Sequence, residues 1–404
     1  MEAIFEGVRV LDFTQVLAGP TATRLLVELG AEVIKVEAPE GDLGRVLPRI
    51  ENGRSGYFVQ QNRGKRCVCV DLKDPRGRDL ILDLVPECDI VIQNFAHGVM
   101  ERLGFGYDVL RERNPQVIAC NMSAFGDKGP LATRPGYDGI AGSWVGVLHM
   151  LGYPDQAPIL PAVSPGDVLT GVHAFGGVAA ALYHRERTGR GQEVKISLMD
   201  AYATVHEVNW QEWSVSGGES HPTRAGNTHP IVAAVGVWKA GDGGYAVVAA
   251  VNDVQWSNLA KAMGHPELAK DGPWATGAGR LAEREAVNSF VEEWFAQQPT
   301  RDGAVAELEA VRVPVAPVLT VAEAAEHPAV HAAGALRWVD DEVLGRVLVP
   351  GMPLKFGESP HQPALATRQL GEDNRWATCE LLGRTAEQYD ELVRSGVLHH
   401  DPGT

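Results

Sequence analysis

The sequence predicts an α/β fold: a large domain on an open, largely parallel sheet of Rossmann-like type, and a smaller α+β domain. Three observations predict it. Short β-branched runs alternate with helical patterns from Val8 to Ser123, as βαβ units do. A hairpin pattern stands apart from them at Val232–Val251. Mixed helix and strand then return from about Val321.

The elements follow in order. Val8–Phe13 is rich in apolar residues and reads as a buried strand, Thr21–Leu29 as a helix and Glu32–Glu37 as a second strand. Ile81–Leu84 is helical, Ile90–Gln93 a strand, Val99–Gly104 a helix turning into a loop, and Val117–Ser123 a strand. Ala124–Gly166 is a long irregular stretch rich in Gly and Pro, of the kind that is more often functional than idle. Asp167 opens a helical run to about Arg187, closed by Thr-Gly-Arg-Gly, before a strand at Glu193–Ser197 and a helix over Leu198–Trp213. The composition of Gly217–Gly226 marks a boundary. Beyond it come the hairpin strands Val232–Ala240 and Tyr245–Val251, helices over Val254–Met263 and Leu281–Ala296, and a helix plus short strand within Thr300–Val318. Helices over Leu381–Gly396 close the chain. Residues 1–220 with 325–404 are thus expected to form the large domain, and 225–320 the small one.

Composition narrows the function. The 404 residues are 45% hydrophobic and 22% charged, an ordinary globular profile. A net charge of −16 disfavours nucleic acid or an anionic membrane as partner. No run approaches the roughly eighteen apolar residues of a membrane span. The start lacks a basic segment followed by an apolar one, and the five cysteines contain no CxxC pair. The expected setting is cytoplasmic.

Several motifs carry chemistry. The first loop reads Ala18-Gly19-Pro20 where a nicotinamide enzyme needs G-x-G-x-x-G, so no nucleotide redox cofactor is expected and Glu37 reads as a plain strand-end charge. Arg63, Lys65, Arg66, Lys73, Arg76 and Arg78 cluster against only Asp71 and Asp74. That cluster is either a solvated loop with a helix start at Asp74-Pro75 or an electrostatic cradle for a polyphosphate. Asn94, just beyond a parallel strand, either caps the next helix or touches a ligand. Asp167, within Ser164-Pro165-Gly166-Asp167-Val168-Leu169-Thr170-Gly171, is either an N-cap or first-turn acid or a nucleophile. A helix N-terminus favours the ionised carboxylate, the glycines admit a substrate carbonyl, and a carboxylate is a competent covalent catalyst when the leaving group is a thiolate. His97, His173, His206 and His229 have no metal-ligand spacing, so no metal is expected. His149, Met150, Trp144 and Trp210 either line an apolar pocket or serve the core.

These residues fall in segments that resemble the class III coenzyme A transferases, the group that includes formyl-CoA transferase and carnitine CoA-transferase. The matching segments include VRVLDFTQVLAGP, LGAEVIKVEAPEGD, NRGKRCVCVDLKDPRG, SAFGDKGPLATRPGYDGIA, PGDVLTG, ALYHRERTGRGQEVKISLMDA and GNTHP. The resemblance implies an acyl-CoA substrate, small carboxylic acids as the other partner, no ATP or metal, and an interlocked ring-shaped homodimer. It places the nucleophile on Asp167 and CoA contacts on Ala18, Val70, Asp71, Leu72, Lys73, Asn94, Phe95, Ala96, Arg102, Arg134 and Tyr137. Substrate contacts are expected at Gln15, Gly226, Asn227 and His229. There are departures: Ala38, Leu17 and Pro135 stand where formyl-CoA transferase has an arginine, a glutamine and a lysine, and Gly226–Pro230 replaces its glycine-rich loop. Formate–oxalate exchange is therefore not expected. α-Methylacyl-CoA racemases share the fold but carry a histidine where this chain has Tyr137, and a phenol with a reference pKa near 10 is a poor proton shuttle at neutrality. Transferase is the preferred reading, with racemase or a non-catalytic acyl-CoA-binding protein as alternatives.

Overall fold

A computed structural model describes residues 3–359 and 365–401. Contacts divide the chain into two units. The first takes residues up to Val145, Pro161–Glu207 and those from Pro328 onward; the second takes Gly146–Leu160 and Val208–His327. The second unit thus starts earlier than the expected 225 and also includes residues 146–160. Arg224 explains that inclusion. Its Nε donates to the Tyr153 carbonyl at 3.1 Å and its Nη1 to the His149 carbonyl at 3.0 Å, while Gly226 N–H donates to Gly152 at 3.0 Å.

The first unit runs β1 (Arg9–Asp12), α1 (Ala18–Glu28), β2 (Glu32–Glu37), α2 (Gly56–Asn62), β3 (Arg66–Cys69), α3 (Pro75–Leu84), β4 (Ile90–Gln93), α4 (Val99–Leu103), α5 (Tyr107–Arg113), β5 (Ile118–Ser123), α6 (Asp138–Trp144), α7 (Pro165–Thr188), β6 (Glu193–Ser197) and α8 (Leu198–Ala203). These six strands form one sheet in the order β3-β2-β1-β4-β5-β6, all parallel, apart from two antiparallel pairs in the same unit, Ile50–Glu51 with Arg54–Ser55 and Leu336–Asp341 with Gly345–Pro350. This is the doubly wound order, with a topological switch point between β1 and β4.

Strand alternation builds two cores. Val10, Ile90, Ile92, Ile118 and Cys120 face Ala22 and Leu26 of α1 and Ala174, Val178 and Ala181 of α7. Leu11, Ile34, Val68, Val91 and Ala119 face Leu80, Ile81 and Leu84 of α3 and Leu110 of α5. Both faces are covered, which is why these strands read as nearly continuous apolar runs. Each such buried aliphatic side chain contributes about 1.5–3 kcal/mol. The chain end covers the sheet edge. Asp373 Oδ2 and Asn374 Oδ1 accept from Cys67 and Cys69 N–H at 2.9 and 2.8 Å, so β3 presents few open amides.

Two expectations fail locally. β3 escapes the sequence reading because Arg63, Lys65 and Arg66 make its start look like loop. Leu198–Trp213 is not one helix but α8 and a second helix at Asn209–Val215. In the second unit, antiparallel strands Val235–Lys239, Tyr245–Ala249 and Val315–Pro317 pack with Trp238, Trp256 and Phe295 in its core. No helix among the described residues is long and apolar enough to cross a membrane.

Candidate active site

The loops that leave β1 and β4 meet at the switch point, where ligands bind in open α/β sheets. The Asn94 side chain pairs with both backbone groups of Gln15 at 2.8 Å, so it neither caps a helix nor stands free. Beneath this loop lies a buried ion network. Lys65 Nζ sits 3.0 Å from Asp12 and Lys35 Nζ 2.8 Å from Asp42, all four side chains shut off from solvent. Burial opposes ionisation of Asp12, but Lys65 and Lys35 hold its carboxyl below the usual range. Glu37, read as a plain strand-end charge, is instead buried, pairs with Arg45 at 2.7 Å and accepts from Asp42 N–H at 3.0 Å.

Asp167 occupies the third position of α7, after Pro165 and Gly166, with Ser164 as N-cap residue. Its backbone N–H donates to Asp138 Oδ1 at 2.8 Å, and Asp138 Oδ2 accepts from the Tyr202 hydroxyl at 2.8 Å. Burial first, and the Asp138 charge second, push the half-buried Asp167 carboxyl up to about 7. The helix N-terminus, expected to keep it ionised, is outweighed. Burial and the charges of Asp167 and Asp42 likewise push Tyr57 up to about 12. The glycines matter sterically: a Cβ on Gly166 would collide with the Tyr202 ring and come within 2.6 Å of Asp138 Oδ1. One on Gly171 would lie 2.7 Å from Thr21 Cβ, so only glycine lets α1 approach α7 this closely.

The residues expected to hold CoA divide into groups. Ala18 starts α1, and its carbonyl abuts Gly171, one turn along α7 from Asp167. Phe95, Ala96, His97 and Gly98 line a cavity of about 200 Å³ at the ends of β4, β5 and β6, floored by Gln93 and Asn121. Arg102 is exposed beside Gly98, and Arg134 lies 5.5 Å over the Trp144 ring. Tyr137 is 77% exposed and immediately precedes Asp138. Val70 departs from expectation, since it is fully buried, is bridged to Leu398 and offers no surface to a ligand. Asp71, the half-buried Leu72 and the exposed Lys73 follow it in a turn, where Asp71 Oδ1 accepts from Lys73 N–H at 2.9 Å.

The basic cluster is not an open cradle. Arg63 pairs with Glu28 and Lys65 with Asp12, both buried; Arg66 pairs with Glu32 and Asp373 and lies 3.7 Å over the Trp376 ring. Arg76 and Arg78 pair with Asp74 and Asp79, and the helix starts at Asp74-Pro75 as expected. Only Lys73 of the six has no carboxylate partner among the described residues. Gly226, Asn227 and His229 belong to the second unit. There Asn227 Nδ2 donates to the Val237 carbonyl at 2.6 Å, and Gly226, at φ 67°, lies close to the Tyr153 ring. Trp144 and Trp210 are about half exposed and serve neither core.

The profile of CoA-transferase family III matches residues 5–374. The chain belongs to that family. It is 38% identical to the succinyl-CoA:mesaconate CoA-transferase of Haloarcula hispanica over 89% of this chain and 91% of the relative. It is 37% identical to the acetyl-CoA:oxalate CoA-transferase of Acetobacter aceti with the same two coverages. The crystal structure of a CaiB/BaiF family protein from Brucella suis superposes with a TM-score of 0.82 at 34% identity, covering 94% of this chain and 100% of that one. Family III membership makes the chain a transferase enzyme on a fold its solved relative shares. Sequence reading missed Asp138, Tyr202 and Tyr57 as neighbours of Asp167. Asp138 had one faint signal, an acid opening a short helix directly after Tyr137.

Proposed function

We propose that this family III chain transfers coenzyme A between an acyl-CoA and a small carboxylic acid through covalent catalysis on Asp167. The observation that carries the reading is the half-buried Asp167 carboxylate, anchored through its backbone N–H by Asp138 and set in a turn whose glycines let Asp138, Tyr202 and α1 pack closely against it. The relatives' names pair CoA donors with mesaconate or oxalate, so dicarboxylic acids are the acceptors to test first.

The ionised carboxylate attacks the thioester carbonyl, giving an acyl–aspartyl anhydride and CoA thiolate. The thiolate attacks the aspartyl carbonyl, releasing the donor acid as carboxylate and leaving an aspartyl-CoA thioester. The acceptor carboxylate attacks that thioester, forming a second anhydride and freeing the thiolate, which attacks the acceptor's acyl carbon and regenerates Asp167. Each step exchanges one acyl bond for another of similar energy. The N–H groups of Leu17, Ala18 and Gly19 have no partner among the described residues and suit the developing oxyanions, each such donor being worth about 3 kcal/mol elsewhere. Lys73, Arg102 and Arg134 supply cations for the CoA phosphates. A homodimer belongs to the same reading, and the exposed Tyr137, Ile140 and Trp144 offer apolar surface for it.

The test is one incubation in heavy water with a panel of acyl-CoAs and free acids, read by mass spectrometry. New acyl-CoAs built from the added acids are expected. Unchanged acyl groups that gain deuterium at Cα would mean a racemase instead.

A further inference from the structure

Asn94 is expected by resemblance to touch coenzyme A, yet its carboxamide is already engaged. Its Oδ1 accepts from Gln15 N–H and its Nδ2 donates to the Gln15 carbonyl, both at 2.8 Å. The neighbours of Gln15 are held the same way. Thr14 N–H donates to Asp12 at 2.8 Å and its carbonyl accepts from Lys35 at 2.6 Å. Val16 N–H donates to Asp42 at 3.2 Å and its carbonyl accepts from the Tyr57 hydroxyl at 3.1 Å. Every backbone polar group of Thr14, Gln15 and Val16 is therefore closed by a side chain. Those side chains come from β1, β2, the loop after β2, α2 and the loop after β4.

A mere connection between β1 and α1 needs no such bracing, because loop amides and carbonyls are commonly left to water. The bracing also holds Val16 at φ 64°, a region a β-branched residue occupies only when its surroundings over-determine it. Strain of that kind clusters where a backbone must be pre-organised. What the braced loop leaves unengaged is the half-buried Gln15 carboxamide, which has no hydrogen-bond partner among the described residues, and the first N–H groups of α1. The loop also lies beside α7, since the Ala18 carbonyl abuts Gly171.

We propose that Asn94 is a positioning residue: by closing both backbone groups of Gln15 it aims the Gln15 carboxamide at the acyl oxygen or carboxylate reacting on Asp167. This rests on the Asp167 reading above. Asn94 then acts on the chemical step through Gln15 and makes no essential contact with CoA. As a neutral donor, the Gln15 amide binds an anionic oxygen without fixing a counter-charge beside Asp167.

Asn94→Ala, Asn94→Asp and Gln15→Ala test this, with CoA affinity by calorimetry, steady-state kinetics, and amide exchange at Gln15 and Val16. The Asp variant keeps an acceptor for Gln15 N–H but loses the donor to its carbonyl, so it serves if the Ala variant does not fold. Each variant is expected to lose about 10²-fold in kcat while CoA Kd stays within about twofold. Gln15 amide exchange should quicken in Asn94→Ala, which loses the acceptor for its N–H, and the Asn94–Gln15 double variant should be no worse than either single one. A large rise in CoA Kd with kcat unchanged at saturation would make Asn94 a CoA contact and overturn the proposal. Should the wild type transfer nothing, the Asp167 reading fails by itself; unchanged Gln15 exchange in Asn94→Ala, or an unchanged kcat in Asn94→Asp, would separately overturn the positioning role.

Discussion

The Asp138 carboxylate accepts a hydrogen bond from the backbone N–H of Asp167 at 2.8 Å, putting one acid's charge beside another's. The contact fixes where the first turn of α7 sits and also opposes ionisation of the side chain it fixes. A nucleophile that must lose a proton near neutrality is tuned by such a neighbour.

Asp138→Asn keeps an acceptor for Asp167 N–H and removes the like charge. Asp167, pushed up to about 7 in the wild type, should then ionise at lower pH, although burial still holds it above an ordinary carboxyl. The rising limb of kcat/KM against pH, centred near 7, should move to lower pH. A limb that stays in place would show that Asp138 exerts no electrostatic control.

The same shift sets a stability sign. The folded carboxyl titrates near 7 and the unfolded one near 3.8, so between those values the folded state holds the extra proton. Stability from this group therefore falls as pH rises through that window and levels above it. Asp167→Asn should raise Tm more at pH 8 than at pH 4. An equal change at both would mean that the carboxyl is not shifted.

Asp12→Ala removes the carboxylate 3.0 Å from the fully buried Lys65. Stranding a buried charge costs about 3–5 kcal/mol, readable as a lower midpoint in urea at unchanged slope. A loss below about 1 kcal/mol would mean that the network relaxes or admits water.

Arg102 has no carboxylate partner among the described residues, is exposed, and lies beside Gly98, which lines the cavity beyond β4. Arg102→Gln should weaken CoA binding by about 1.5–3 kcal/mol, the range for a bond to a charged group, with a shallower salt dependence. Unchanged affinity would remove Arg102 from the CoA site.

Much of the first unit was legible because doubly covered strands carry their apolar runs openly. Glu32–Glu37, Ile90–Gln93 and Glu193–Ser197 read from sequence with the bounds they have in the structure. The strand Arg66–Cys69 did not, since charge pairs buried by distant residues look like solvated charge in one dimension. Arg63 meets Glu28 and Lys65 meets Asp12 only after folding. The candidate site shows the same limit. Asp167 announces itself through its glycines and its helix start, whereas Asp138 and Tyr202 are joined to it by tertiary contact alone. The Gln15–Asn94 bridge spans β1 to β4 and leaves no local trace.

The most direct measurement is peptide mass spectrometry of the enzyme quenched during turnover with an acyl-CoA, with hydroxylamine trapping in parallel. A CoA adduct, or its hydroxamate after trapping, is expected on the peptide spanning Ser164–Gly171 and localised to Asp167. Turnover with Asp167 unmodified, or with the adduct on another residue, would contradict nucleophilic catalysis by that carboxylate.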